Sequence, residues 1–269
     1  MPNSTHTLTL DEGTLDIAVD LHGSQGRPFL LLHGGGGPQT VTAFAGLLAQ
    51  QRPARVFAPA HPGFDGTTRP AWLTDVTTLA RAYAHLLDEL RLRDVAVVGN
   101  SIGGWIAAEL AALDSDRISS VTLVNAVGIQ VPGHPIAETF ALTPVELSRL
   151  SFHDPSKFRF DPGRLSEDQR AVAAANRATL QVYSGPHVMA DPTLPERLAK
   201  VTRPTLVAWG ASDKVVDADY GRAYARAIPG ADFRLLHGAG HMPQVETPGQ
   251  LLPVIWDFAE THAVDRPQH

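Results

Sequence analysis

One stretch constrains the fold more than any other: Val95-Ala96-Val97-Val98 runs straight into Gly99-Asn100-Ser101-Ile102-Gly103-Gly104. An unbroken run of small apolar residues suits a strand covered on both faces of its sheet. The Ala-rich residues 103–113 that follow suit a helix. A strand that turns into a helix over so few residues needs a sharp bend, and small neighbours at Gly99 and Gly103 leave room for it. Such a bend lifts the Ser101 side chain clear of the sheet. The new helix aims its first backbone N–H groups at the same space, where negative charge is stabilised. Gly-x-Ser-x-Gly is a weak pattern by itself. Between a valine strand and an Ala-rich helix it is specific.

The rest of the chain repeats this alternation. Leu8 and Leu10, then Leu15, Ile17, Val19 and Leu21, alternate with polar or small residues around Asp11-Glu12-Gly13 and predict an antiparallel hairpin. Residues 29–32 form a short apolar strand that ends in His33-Gly34-Gly35-Gly36-Gly37-Pro38. A helix is expected over 40–50, a strand over 55–59, and a helix over 75–92 with one stripe of Leu79, Leu86, Leu87 and Leu90. A strand at 121–124 follows. Strands separated by helices indicate a mostly parallel α/β sheet with right-handed crossovers. Between residues 128 and 200 the rhythm breaks: prolines recur, only short helices such as 144–150 and 167–180 are predicted, and no buried strand is visible. A structureless loop of that length is uncommon, so the segment reads as an inserted helical cap. The expected division is therefore a core of 1–127 and 201–269 around a cap of 128–200. Beyond it come a strand at 205–209, a helix at 218–228, a strand at 233–236 and a helix at 249–260. The tail from 262 to 269 is expected to fray.

Composition removes whole classes of function. The 269 residues contain no cysteine, which excludes disulfides, a thiolate nucleophile and thiolate-held metals. A net charge of -6 with scattered basic residues gives no surface for nucleic acid. No apolar run approaches the length of a membrane span, and the polar start lacks a secretory leader's pattern. A soluble cytoplasmic chain with no membrane partner is expected.

A serine hydroxyl needs a base before it attacks anything. Among 12 histidines, His241 is the leading candidate, because Gly238-Ala239-Gly240-His241-Met242-Pro243 is a flexible loop after a late strand. Asp213 follows Trp209-Gly210-Ala211-Ser212 at a strand end and is the first candidate for the acid that orients it, with Asp217 second. His33 is expected to brace its glycine loop by hydrogen bonding. That loop has no side chains to cover its backbone, so the N–H groups of Gly35 and Ile102 are assigned as oxyanion donors. It lacks the Gly-Lys-Ser/Thr ending of a phosphate loop and the spaced glycines of a dinucleotide site.

With these motifs in hand, residues from about Leu15 to Glu260 resemble the α/β-hydrolase fold superfamily. His33-Gly34-Gly35, Pro62-Gly63-Phe64, the Ser101 elbow, Asp213 and Gly240-His241 occur in that family's order. The resemblance implies an eight-stranded, mostly parallel sheet with a helical cap after the sixth strand. Relatives with an aspartate nucleophile, the haloalkane dehalogenases and epoxide hydrolases, are excluded because Ser101 stands in that place. Gly99-Asn100-Ser101-Ile102-Gly103-Gly104 is similar to the carbon–carbon bond hydrolases that cleave vinylogous diketone ring-fission products. Those enzymes commonly carry a Trp after the histidine, a cap arginine and a Gly-x-Gly-Pro-Gly loop. Here Met242, the poorly matching Arg177 and Gly35-Gly36-Gly37-Pro38 stand instead.

Ester hydrolysis through an acyl-enzyme is therefore the first expectation and carbon–carbon cleavage the second. Lactonase, amidase and cofactor-free perhydrolase activities, and a non-catalytic receptor on the same fold, follow. The expected mechanism needs no metal or organic cofactor. The partner is a small molecule with an apolar acyl or aryl group, held near Gly36, Phe64, Ile102, Trp105, Val215 and Met242. Phe140, Leu142, Phe152 and Phe158 would face it from the cap. Oligomeric state stays open, with a homodimer as the assembly considered.

Overall fold

The computed structural model describes residues 4–158, 163 and 165–264. Its centre is an eight-stranded sheet in the order β1-β2-β4-β3-β5-β6-β7-β8. The strands are β1 (Ser4–Leu10), β2 (Gly13–His22), β3 (Arg27–Leu32), β4 (Ala54–Pro59), β5 (Val95–Asn100), β6 (Ile118–Val124), β7 (Thr205–Gly210) and β8 (Asp232–Leu236). The opening hairpin places Leu8 opposite Leu15, and β2 also runs antiparallel to β4. Every later pairing is parallel.

The continuous apolar strands are buried on both sides, as their composition predicts. Successive side chains point to opposite faces. Thus Leu30 and Leu32 of β3, with Val95 and Val97 of β5, join one core. Phe29, Leu31, Ala96 and Val98 join the other. The first core lies under α2 (Val76–Glu89), α3 (Ile102–Ala112) and α7 (Ala218–Ala227). The second lies under α1 (Gln39–Gln51) and α9 (Pro248–Thr261).

Asp75 caps α2 by accepting from the Thr78 N–H at 2.7 Å. This helix stops earlier than its leucine stripe predicts. Leu90 is the C-cap, Arg91 turns left-handed at φ 51°, and Leu92 closes the end by donating to the Leu87 carbonyl.

Between β6 and β7 the chain forms a 3-10 turn (Thr139–Ala141), then α4 (Pro144–Ser151), α5 (Glu167–Ser184) and α6 (Leu194–Leu198). Capping boxes start α4 at Thr143 and Glu146, and α5 at Ser166 and Gln169. Among the described residues this stretch contains no strand, only an isolated bridge between Gly128 and Ala190. The α5 helix lies across the strand-end loops of the core through one face. Asn176 accepts from the Asp65 N–H, Thr179 and Tyr183 donate to the Gly63 and Pro62 carbonyls, and Leu180 covers Gly35. These positions follow the i, i+3, i+4, i+7 spacing of one helical face.

Within the expected frayed tail, Val264 is tied down, its N–H donating to Asp94 at 3.0 Å. Residues 265–269 of that expectation lie outside the described residues.

Candidate active site

The bend after β5 has the predicted form. Ser101 sits at φ 57° and ψ -118°, a conformation that costs a non-glycine residue about 1–3 kcal/mol. A methyl group on Gly99 would lie 2.0 Å from the Gly103 carbonyl oxygen, and one on Gly103 would lie 2.3 Å from that of Leu32. Side chains at either position would push the turn apart. The strain is held by the fully buried strand before it and the largely buried helix after it.

Three residues from distant parts of the chain meet there. His241 Nε2 lies 2.9 Å from Ser101 Oγ, and His241 Nδ1 lies 2.7 Å from Asp213 Oδ2. All three are buried, and the Asp213 side chain has 0% exposure. A buried carboxylate is costly unless its oxygens are paired. Asp213 Oδ1 accepts from the N–H groups of Val215 and Val216, and Oδ2 accepts from Asn125 Nδ2 at 2.6 Å. The remaining oxygen position faces the imidazole, which fixes its tautomer: Nδ1 carries the proton and Nε2 faces the hydroxyl. Asp217 lies elsewhere, capping α7 and pairing with His134.

The glycine loop lies beside the serine. A methyl group on Gly34 would sit 3.3 Å from Ser101 Cβ. Gly35 is half-buried beneath Leu180, and Gly36 is exposed beside Thr40. Ile102 opens α3, and the first N–H groups of a helix have no acceptor within it.

Two imidazoles tilted 31° to each other hold this loop from behind, with ring centroids 3.7 Å apart. His33 Nε2 accepts from the His61 N–H, so its Nδ1 carries the proton donated to the Gly34 carbonyl. His61 Nε2 donates to the His33 carbonyl, and its Nδ1 accepts from Tyr83. Burial drives both rings to the neutral form. It holds His33 well below the usual histidine range, and His61 is lowered to about 4.

The expected lining residues occupy different settings. Phe64 is fully buried, edge-on to both imidazoles. Trp105 packs against Gly128 with its indole N–H directed to Glu109. Val215 lends its N–H to Asp213, and Met242 is half-buried at the start of α8 (Pro243–Glu246). Phe140 lines a groove of about 510 Å³ together with Ile129, Val131, Ile136, Val188 and Tyr220. The triad residues are not part of that groove's wall. Arg177 is engaged within the cap: it donates to the Phe140 carbonyl and lies 5.7 Å from the centre of that ring. Leu142 is half-buried, while Phe152 is buried and stacks on Phe158 at 4.7 Å. Among the described residues no cluster of acidic and histidine side chains could hold a metal ion, and no helix is long and apolar enough to cross a membrane.

Two positioning residues escape a sequence reading. Asn125, left-handed at φ 47°, binds Asp213 through its amide N–H and accepts the Gly210 N–H. Asn100 donates to the His241 carbonyl at 2.9 Å and accepts from Gln244. A signal for Asn125 exists: it is a polar residue directly after the 121–124 apolar run, on the strand edge that carries Ser101.

A family profile described as alpha/beta hydrolase fold matches residues 27–248. The chain belongs to that family. Among curated members, it is 27% identical to the dihydrolipoyllysine-residue acetyltransferase component of the acetoin cleaving system of Pseudomonas putida, matching 90% of this chain and 66% of that one. The chain thus spans just under two thirds of that relative. It is 28% identical to lipase 3 of a Moraxella species over 89% of this chain and 79% of the lipase. It is 27% identical to 2-hydroxymuconate semialdehyde hydrolase of Pseudomonas putida over 89% and 90% of the two chains. Within the α/β-hydrolase family, a buried Ser–His–Asp triad at this sheet edge is the arrangement of a serine hydrolase active site.

Proposed function

We propose that this α/β-hydrolase cleaves a carboxylic ester carrying a small apolar acyl or aryl group. The observation that carries the reading is the buried chain of contacts from Ser101 to His241 to Asp213, at 2.9 and 2.7 Å. His241 Nε2 takes the Ser101 proton as Oγ bonds to the ester carbon. The carbonyl oxygen becomes an oxyanion held by the N–H groups of Gly35 and Ile102. Collapse expels the alkoxide, which takes the proton back from His241 and leaves an acyl group on Ser101. Water then gives its proton to His241 and attacks the acyl carbon, and the acid departs from regenerated Ser101. Asp213 stabilises the imidazolium at both stages. Leu180, which covers Gly35 from within a cap spanning residues 128–200, walls the apolar side with Met242.

Arg177 supports the ester over the carbon–carbon reading. Its guanidinium donates to the Phe140 carbonyl and lies 5.7 Å from the centre of that ring, contacts made within the cap. The second reading, cleavage of a vinylogous diketone ring-fission product, is favoured by the Gly99-Asn100-Ser101-Ile102-Gly103-Gly104 elbow and by the semialdehyde hydrolase relative. Turnover of p-nitrophenyl acetate through octanoate, and of one dienoate ring-fission product, separates the two. Ester turnover that vanishes in Ser101→Ala is the expected result. Preferential cleavage of the dienoate would make the second reading primary. A single stoichiometric burst without turnover would indicate a receptor.

A further inference from the structure

The loops that carry Asp213 and His241 are not held by the sheet alone. The last residues of α4 and the cap chain just after it bond to both. The Leu150 carbonyl accepts the N–H of Lys214, the residue after the acid, at 3.1 Å. The Ser151 carbonyl accepts the N–H of His241 itself, at 2.6 Å. His153 Nδ1 lies 2.7 Å from Ser212 Oγ, the residue before the acid. The approach leaves no space for a side chain at position 240, since a methyl group on Gly240 would lie 2.3 Å from the Ser151 carbonyl oxygen.

One carboxylate closes this arrangement. Glu246, at the end of α8, directs Oε2 at two N–H groups: that of Gly240 at 2.7 Å and that of His153 at 3.0 Å. Its Oε1 accepts the Asp154 N–H at 2.9 Å. Glu246 therefore ties the residue before the base to the cap residues that follow α4. Hydrogen bonds to an ionised acceptor are the stronger kind, and three converge on this one side chain.

We propose that Glu246 is a positioning residue for the reaction, fixing His241 against Asp213 and Ser101 by clamping the base loop to the end of α4. The inference rests on the serine-hydrolase reading above. Loss of the clamp leaves the substrate's binding surfaces in place but lets the His241 backbone drift. A base displaced by a fraction of its hydrogen-bond length transfers protons poorly, so the effect falls on kcat and not on KM.

Glu246→Ala and Glu246→Gln test this. The amide is isosteric but has only one acceptor oxygen, so its NH2 must face at least one of the backbone donors. Two rates are read per folded molecule: kcat and KM on p-nitrophenyl acetate, and the labelling of Ser101 by a fluorophosphonate, which needs the base but little substrate binding. Circular dichroism gives the folded fraction and the melting midpoint. Glu246→Ala is expected to lower both kcat and the labelling rate by about 10–100-fold. KM should stay within about threefold of wild type, because a misplaced base slows the chemistry and not the encounter. Glu246→Gln should fall between the alanine variant and wild type. Unchanged rates per folded molecule in both variants, with only a lower melting midpoint, would overturn the proposal while leaving the triad reading intact. Wild type that is not labelled at Ser101 would overturn the serine-hydrolase reading, and this inference with it.

Discussion

The helix behind the nucleophile and the helix above it are built on opposite terms. In α3, ten of 11 residues are buried, including Ile102, Trp105, Ile106 and Leu110. In α5 only Asn176, Tyr183 and Ser184 of 18 residues are buried, and the helix meets the core through a single face. The first is held by apolar area on all sides. The second is held by a few side-chain bonds to the loops at 62–65, and by Leu180 over Gly35. The difference assigns separate tasks. The core holds a strained serine in place, whereas α5 is the element whose contacts can change at little cost to the fold.

The contrast can be broken most sharply at the triad. Asp213→Asn should lower kcat on p-nitrophenyl acetate by about 10⁴-fold, because the amide favours the wrong imidazole tautomer. Steady-state kinetics on the purified variant would check it, and a loss below tenfold would remove Asp213 from its role. Next in size is the core itself. Leu86→Ala, at a fully buried position of α2, should cost about 2–5 kcal/mol in urea unfolding. Its kcat per folded molecule should match wild type.

A pH series probes the buried pair that backs the glycine loop. The native His61 titrates at about 4, below its usual value, so the unfolded chain binds more protons between about 4 and 6.5. Stability contributed by keeping this ring neutral is complete above that window and is lost as pH falls through it. Urea midpoints should therefore rise with pH across it, and the ring resonances of His33 and His61 should remain those of neutral imidazoles at pH 6. Protonated signals at that pH would contradict the assignment.

The smallest effect belongs to the cap. Leu180→Ala should cost about 1 kcal/mol of stability. It should also shift ester preference about tenfold toward longer acyl chains, because it removes apolar volume over Gly35. An unchanged kcat/KM ratio of octanoate to acetate would place Leu180 outside the substrate's path.

These two regions also differ in how much of them can be read from sequence. The strands at 29–32, 95–98, 121–124 and 205–209 announce themselves as apolar runs, and each strand end that carries chemistry is marked by glycine or a lone polar residue. Ser101, Asp213 and His241 lie on those ends, so local pattern and the requirements of a nucleophile suffice to select them. The supporting residues are harder to read, because their partners lie far away in sequence. Asn125 reaches Asp213 across 88 residues, Asn100 reaches the His241 carbonyl across 141, and Glu246 reaches His153 across 93. Nothing in the neighbourhood of Glu246 distinguishes it from a solvated helix-end carboxylate. Its role exists only once the cap has folded over the base loop. The early end of α2 has a similar origin, since the left-handed turn at Arg91 overrides the leucine period.

The central claim is that Ser101 carries the acyl group during turnover. Wild-type protein mixed with p-nitrophenyl acetate and quenched in acid within the first turnover can be digested and weighed by mass spectrometry. One acetyl group is expected on the peptide containing Ser101, at Ser101 itself, and none on that peptide from Ser101→Ala. Ester hydrolysis with no acetyl group at Ser101, or at an undiminished rate in Ser101→Ala, would contradict it.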